Sequence, residues 1–245
     1  MRVTVPSSST DILLNGLSAH ALASALFSYT HISLDQILQF VMRMPHEDKL
    51  ALLKQYVGAR NSRRDRSGRG LESGYPITFD LVGGFAEYRD LERHRMLTQQ
   101  RQLLTTELGF IMPPEVRELG LENEVEGVVR AMGDLNKKLR AYGLVGASQY
   151  ATLFNHRIRF MMGMNLREFQ HLAELRSQPA GHFSYRAMVQ EMARSLDKVY
   201  PWAALTHGFV DYSDPDNRIT RAREQGRIAG GNLKKGINDM DVDFT

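Results

Sequence analysis

Cysteine is absent from the 245 residues, tryptophan occurs once, and proline only eight times. Without cysteine there are no disulfides, no thiolate nucleophile and no zinc site built on cysteine pairs. The absence fits a reducing compartment, and the expected location is cytoplasmic. No apolar run reaches the ~18 residues of a membrane span. Ile12 to Phe27 is fairly apolar, but Asn15, Gly16, Ser18, His20 and Ser24 interrupt it, so a packed helix is expected there rather than a secretory signal. No Gly-Lys-Ser/Thr occurs, Gly68, Gly70 and Gly74 do not match the dinucleotide fingerprint, and there is no Gly-x-Ser-x-Gly elbow. His46-Glu47 lacks the second histidine of a metalloprotease helix, and the eight histidines show no metal spacing. No metal site is expected.

What is present is a chain that is 42% hydrophobic and 24% charged, with a net charge of +3. A chain of this length buries roughly three quarters of its unfolded surface and needs no staples. The mild basic excess permits an anionic partner and demands none. Residues 1–10 form a polar lead, and a helix is expected over Asp11–Phe27. Ser33 and Gln36 make a capping-box pair before Ile37, Leu38 and Val41. Pro45 ends that helix and fits the start of the next, which Gly58 stops. Arg60, Arg63, Arg64, Arg66 and Arg69 then sit among Asn, Ser, Asp and Gly without an apolar residue. Such a loop could grip phosphate or RNA. The plainer reading is a solvated basic loop.

Ile77, Phe79 and Leu81 alternate with Thr78 and Asp80, which predicts a strand that Gly83-Gly84 breaks. A long helix is expected from Phe85 to Leu108, with Arg89 and Arg93 repelling one turn apart. Val125, Val128, Val129, Met132, Leu135 and Leu139 recur at helical spacing up to Gly143 and are expected to be core. His156, Ile158, Phe160, Met162 and Met164 share one face of a second extended segment, with Phe154 on the same face and Asn155, Arg157 and Arg159 opposite. One helix follows from Asn165, and another runs through Tyr185, Met188, Met192, Leu196 and Val199 to Pro201. The chain is polar from Asp211 onward. Three divisions are expected: residues 1–70 as a helical segment and basic loop, 71–210 as the core, and 211–245 as a polar, partly ordered tail, together one domain.

Two segments carry chemistry. Arg93-His94-Arg95, placed on a helix, would fan over more than half its circumference, which suits a long dianionic ligand or a subunit junction. From Asn165, Arg167, His171 and Glu174 share one helix face, and Leu166, Phe169 and Ala173 share another. Asn165 stands where backbone N–H groups are free for an anion or a cap.

Arg-His-Arg after a strand, then a second strand leading into Asn165-x-Arg167 and Leu175-Arg176, resembles the flavin-dependent thymidylate synthases of the ThyX type. The resemblance runs from about Ile77 to Tyr200. It implies an α+β fold with a small, mostly antiparallel sheet flanked by long helices, assembled as a homotetramer. It implies FAD as cofactor, held by Arg93, His94, Arg95, Asn165, Arg167 and His171. It implies dUMP as substrate, met by Thr98 and Arg176, with Arg176 polarising the pyrimidine as hydride arrives. Methylenetetrahydrofolate and NAD(P)H would be co-substrates, and no cysteine nucleophile is required. The sequence departs from the family pattern at Thr98, which stands for a serine, at Leu103, Leu104 and Thr105, which stand for Ser, Gly and Arg, and at Asp90 and Gln149. The chain therefore reads as a diverged member or as one copy of a two-copy protein. Two other functions stay open: a non-catalytic flavin- or nucleotide-binding domain acting in assembly, and an RNA-binding protein using Arg60–Arg69. The absence of interleaved aromatics in that loop ranks nucleic acid last.

Overall fold

Ser33 begins the second helix as its spacing requires. Its side chain accepts from the Gln36 N–H at 3.3 Å, and Gln36 Oε1 accepts from the Ser33 N–H at 3.0 Å. The computed structural model that shows this describes residues 10–72 and 77–216, with 222–224, 226–227 and 229–230 beyond them. The polar lead before Thr10 lies outside the described residues. Helix α1 (Thr10–Phe27), α2 (Leu34–Arg43) and α3 (His46–Val57) form the N-terminal layer. Pro45 caps α3, and Gly58 closes it at φ 70°, a left-handed conformation that a residue with a Cβ adopts only under strain. A short 3-10 turn, Arg69–Glu72, follows the basic loop.

Strand β1 (Ile77–Gly84) and the later β3 (Arg157–Met164) pair antiparallel. Their register sets Ile77 against Met164, Phe79 against Met162 and Leu81 against Phe160, so the apolar sets of both strands lie on one buried face. On the opposite face Arg159 forms a two-pronged bond with Asp80, its Nε donating at 2.8 Å. The strand runs on through Gly83-Gly84 rather than breaking there. A Cβ on Gly83 would meet the tip of the Met188 side chain of the last long helix, which would have to move aside.

The helix expected from Phe85 to Leu108 is not formed. Helix α4 spans only Phe85–Leu91, and Thr98–Arg101 forms strand β2, which pairs antiparallel with the other edge of β3 to give the order β1-β3-β2. Arg93-His94-Arg95 therefore lies in the turn between α4 and β2, and the helical fan does not exist. Arg89 and Arg93 do not repel along one helix either: Arg89 pairs with Glu92 at 3.1 Å and Arg93 lies 3.9 Å from Asp90.

Helices α5 (Pro114–Glu118), α6 (Glu122–Ala141) and α7 (Val145–Ser148) form an outlying arm. The stripe on α6 is not core. Asn136 is its one buried residue, and Val128 and Leu135 are exposed. Helices α8 (Leu166–Arg176) and α9 (Phe183–Val199) pack beneath the sheet. Phe79 stacks on Phe169 at 5.5 Å, and Leu172, Met188, Met192 and Leu196 fill the space between the layers. The same core takes in Leu22, Ile37, Val41 and Leu53 of the N-terminal layer. The fold is thus α+β, with a small antiparallel sheet flanked by helices.

The start of the polar C-terminal stretch is tied down. Fully buried Arg186 donates to the Ser177 carbonyl at 2.8 Å and the Ser213 Oγ at 3.0 Å, and Gln190 Nε2 donates to the carbonyls of Asp211 and Ser213. These bonds hold the backbone from Asp211 to Asp216 against α9. Among the described residues no helix is long and apolar enough to cross a membrane.

Candidate functional site

Helix α8 organises the site. β3 delivers Met164 into the core, and the next residue, Asn165, caps α8 by accepting from the Glu168 N–H at 2.8 Å. With that start fixed, Leu166, Phe169, Leu172 and Ala173 face the core, and Arg167, His171 and Glu174 line one side of a hollow of about 370 Å³.

Glu168 joins the two chemistry-bearing segments. Its Oε1 lies 3.2 Å from the buried His94 Nδ1, and His94 Nε2 accepts from Arg176 Nε at 3.0 Å. An acceptor at Nε2 places the ring proton on Nδ1, so His94 is neutral and donates to Glu168. Arg176 Nη2 also donates to the Asp90 carbonyl at 2.9 Å, and the guanidinium lies over the Tyr185 ring at 5.5 Å. The His94 and His171 rings are 5.7 Å apart. Partial burial holds the His171 imidazole below its ordinary pKa; the Arg66 and Arg63 cations push the same way, and Glu168 opposes them.

A second hollow, of about 450 Å³, adjoins the first and shares Glu72, Met96 and Asn165 with it. Arg95 and Thr98 line it. Of the three residues Arg93-His94-Arg95, then, Arg95 faces this hollow, His94 turns inward, and Arg93 is exposed and lines neither hollow. Arg176 stands behind His94 and lines neither hollow.

The basic loop belongs to the site, although its sequence did not place it there. Arg60 makes a two-pronged ion pair with Glu174, both contacts at 2.6 Å, with side chains only 6% and 4% exposed. It is a buried pin rather than a solvated cation. Ser67 bonds Gln170 of α8. Between these two tethers, Arg63 and Arg66 line the first hollow. The lining carries four arginines against three carboxylates, and each carboxylate is engaged: Glu72 by Arg167, Glu168 by His94, and Glu174 by Arg60. Among the described residues Arg63 and Arg66 have no ion-pair partner. Reading the sequence also missed Glu168 and Gln170. Glu168 stood three residues after a capping Asn, which signals a helix start and not a tie to His94. Among the described residues no group of three or more His, Asp or Glu is arranged to hold a metal ion.

The model of the thymidylate synthase complementing protein family (Thy1) matches residues 71–202, more than half of the chain. The chain belongs to this family. Among its relatives, a UPF0159 protein of Chlamydia pneumoniae is 39% identical over 195 residues, which cover 79% of this chain and 36% of the relative. UPF0159 proteins of Chlamydia muridarum and Thermoplasma acidophilum are 36% and 30% identical, and the matches cover 84% and 80% of this chain. The chain spans under two fifths of the length of these curated relatives, at 36%, 38% and 39%. Among solved structures, a UMP/dUMP methylase, PolB from Streptomyces cacaoi bound with 5-Br dUMP, has the same fold, with a TM-score of 0.60 over 85% of this chain and 96% of the other. At 14% identity this likeness concerns the fold. The Thy1-family region thus contains β1, the Arg93-His94-Arg95 turn and all of α8, and leaves Arg60, Arg63 and Arg66 outside it.

Proposed function

We propose that this Thy1-family chain carries out, or contributes half of, a flavin-dependent reductive methylation of dUMP to dTMP, with methylenetetrahydrofolate as carbon donor and NAD(P)H as reductant, in the cytoplasm. The observation that carries this reading is the coupling of two distant family segments: Glu168, capped by Asn165, bonds His94, and His94 in turn holds Arg176. Residues 71–210 would be the ThyX-like core of a single domain, with 1–70 and 211–245 as its extensions.

The lining suits FAD. Among the described residues Arg63 and Arg66 are cations without ion-pair partners, Arg167, His171 and Asn165 stand beside them, and Arg95 and Thr98 line the adjoining hollow. A flavin dinucleotide is rich in acceptors and doubly anionic, the complement of such a wall. When bound, reduced flavin supplies the hydride that completes the methyl group. The protein's part is orientation and charge. Arg176 has its Nε on His94 and one Nη on the Asp90 carbonyl; because it lines neither hollow, its proposed part in meeting a pyrimidine carbonyl with the other Nη requires the nucleotide to reach beyond those linings. A cation held by neighbours that do not move need not reorganise during the reaction. With no cysteine in the chain, no thiolate adds to the ring.

Assembly as a homotetramer is part of the proposal. Val128 is 54% exposed and Tyr150 90% exposed on the α6 arm, and Leu135, Tyr142 and Leu144 are exposed with them, an apolar face suited to a second copy.

The test is release of tritium to water from C5-tritiated dUMP by the flavin-loaded protein. Release that is lost in Arg176→Ala, with flavin still bound, supports the reading. A yellow protein that releases no tritium makes the domain a binding module; Leu103, Leu104 and Thr105, standing where the family pattern has Ser, Gly and Arg, are the feature that would favour that outcome. A gently purified protein that takes up no FAD refutes the reading.

A further inference from the structure

The basic loop has fixed geometry, and that geometry presents charge. Its two ends are anchored on α8, by Arg60 on Glu174 and by Ser67 on Gln170. Between the anchors, the Asp65 carboxylate accepts from the backbone N–H groups of Asn61 at 2.8 Å and Ser62 at 3.0 Å, and the Arg60 Nε donates to the Asp65 carbonyl at 2.6 Å. The stretch from Arg60 to Ser67 is therefore a folded bridge laid along α8. Its two arginines at the hollow, Arg63 and Arg66, pair with no carboxylate of the lining; Glu168, bonded to a neutral His94, keeps its charge, so the lining carries a net +1. A second observation points the same way. Gln170 lines this hollow and is almost fully buried, yet among the described residues its Nε2 has no acceptor. A buried donor without a partner costs about 1–3 kcal/mol, and a small turn of the amide toward the hollow would let a ligand oxygen supply what is missing.

We propose that Arg63 and Arg66, together with the Gln170 amide, grip a phosphate ester of a nucleotide in this hollow, so that the binding wall comes from a loop outside the family-matched region. This rests on the flavin and dUMP reading for the identity of the nucleotide, and not for the phosphate chemistry itself. Two paired guanidiniums match the several acceptor oxygens of a phosphate or diphosphate, and a guanidinium keeps its charge at any working pH. The source is either the diphosphate of FAD or the monophosphate of dUMP.

Calorimetric titrations of the full chain with inorganic pyrophosphate, FAD and dUMP test this, using R63A, R66A, the double variant R63A/R66A, and R64A. Arg64 lies on the same loop, is exposed and does not line the hollow, so R64A changes net charge equally. Each of R63A and R66A is expected to weaken binding about tenfold and the double variant about a hundredfold, with R64A within about threefold. A loss confined to FAD assigns the grip to the diphosphate, a loss confined to dUMP assigns it to the monophosphate, and either supports the proposal. Unchanged affinities in the double variant, or an equal loss in R64A, overturn it. Affinity for poly(U) that exceeds that for every small ligand and falls equally in all three single variants overturns it in favour of RNA. Wild-type protein that binds pyrophosphate and neither nucleotide refutes the flavin reading and leaves this proposal standing; binding of none of the three overturns both.

Discussion

The buried Arg60–Glu174 pair makes the sharpest stability prediction, because it depends on no assumption about ligand. Arg60 donates both Nη groups to Glu174 at 2.6 Å, its Nη1 also reaches the Thr206 carbonyl at 3.1 Å, and its guanidinium lies over Phe209 at 4.9 Å. Arg60→Met leaves the Glu174 carboxylate buried, with the Phe209 N–H at 3.3 Å as its remaining donor outside the helix. Removing one partner of a buried ion pair costs about 3–5 kcal/mol, because the other charge stays desolvated. For a chain of this size that lowers Tm by about 10 °C. The pair itself is a different quantity. Replacing both members by apolar side chains removes the stranded charge, so R60M/E174M should be more stable than R60M alone. Urea denaturation of the ligand-free protein measures all three variants in one series. Loss of less than about 1 kcal/mol in R60M, or a double variant no better than R60M, would refute the view that the basic loop is pinned through a desolvated charge.

Three further outcomes are expected. Burial raises the Glu87 pKa above the ordinary carboxylate value, against the opposing pull of the Gly84 N–H, Ser184 and Arg157; the folded state then keeps this proton to higher pH than the unfolded chain, so the stability it contributes is complete at low pH and is lost as pH rises through the folded pKa. Tm of E87Q minus Tm of wild type should therefore increase from about pH 4.5 toward neutrality, and a pH-independent difference would contradict the assignment. Arg186→Met, which leaves the Ser177 carbonyl and the Ser213 Oγ without their donor, should cost about 1–3 kcal/mol and release residues 211–216, read as faster cleavage there by a protease specific for acidic residues, while unchanged cleavage would show that those residues are held by something else. V128D/L135D, on the exposed face of α6, should dissociate the proposed assembly in sedimentation analysis and leave Tm of the ligand-free subunit within a few degrees; an unchanged oligomer would place the interface elsewhere.

How much could be read in advance follows from which forces were local. β1 and β3 announced themselves because every second residue had to be apolar to share one buried face, and the observed register pairs those residues across the strands. The start of α8 was legible in Asn165 and its two faces in a 3.6-residue period, because a cap and an amphipathic stripe act within a few residues. β2 was illegible. Thr98, Gln99, Gln100 and Arg101 are polar and lack Gly or Pro, so nothing local ends a helix after Leu91; what makes them a strand is the open edge of β3, some 60 residues later. The α6 stripe showed correctly that one face is apolar, but periodicity carries no information on whether that face meets the chain's own core or another copy. In the basic loop the decisive contacts span 114 residues for Arg60 and 103 for Ser67, and no spacing within the loop separates the pinned Arg60 from Arg63 and Arg66, which line the hollow.

The same reach explains how the turn that carries His94 and the helix that Asn165 begins are tied together. Arg176 Nε–H needs a lone pair, and Glu168 needs a hydrogen; they lie on opposite sides of one imidazole. Only the neutral ring with its proton on Nδ1 satisfies both, and a single side chain thereby sets the direction of an arginine 82 residues away. Glu168 is itself placed by the Asn165 cap at the first turn of α8, and Arg176 is the last residue of that helix. His94 thus bridges the beginning of α8 to its end. The turn that carries it is held to α8 through His94, while Arg95 beside it is left facing the hollow. An outward-facing histidine would leave Arg176 with the Asp90 carbonyl and the Tyr185 ring, and without the Nε bond that fixes the direction of its guanidinium. The inward turn of the central residue ties this turn to both ends of α8, which three outward-facing basic residues would not do.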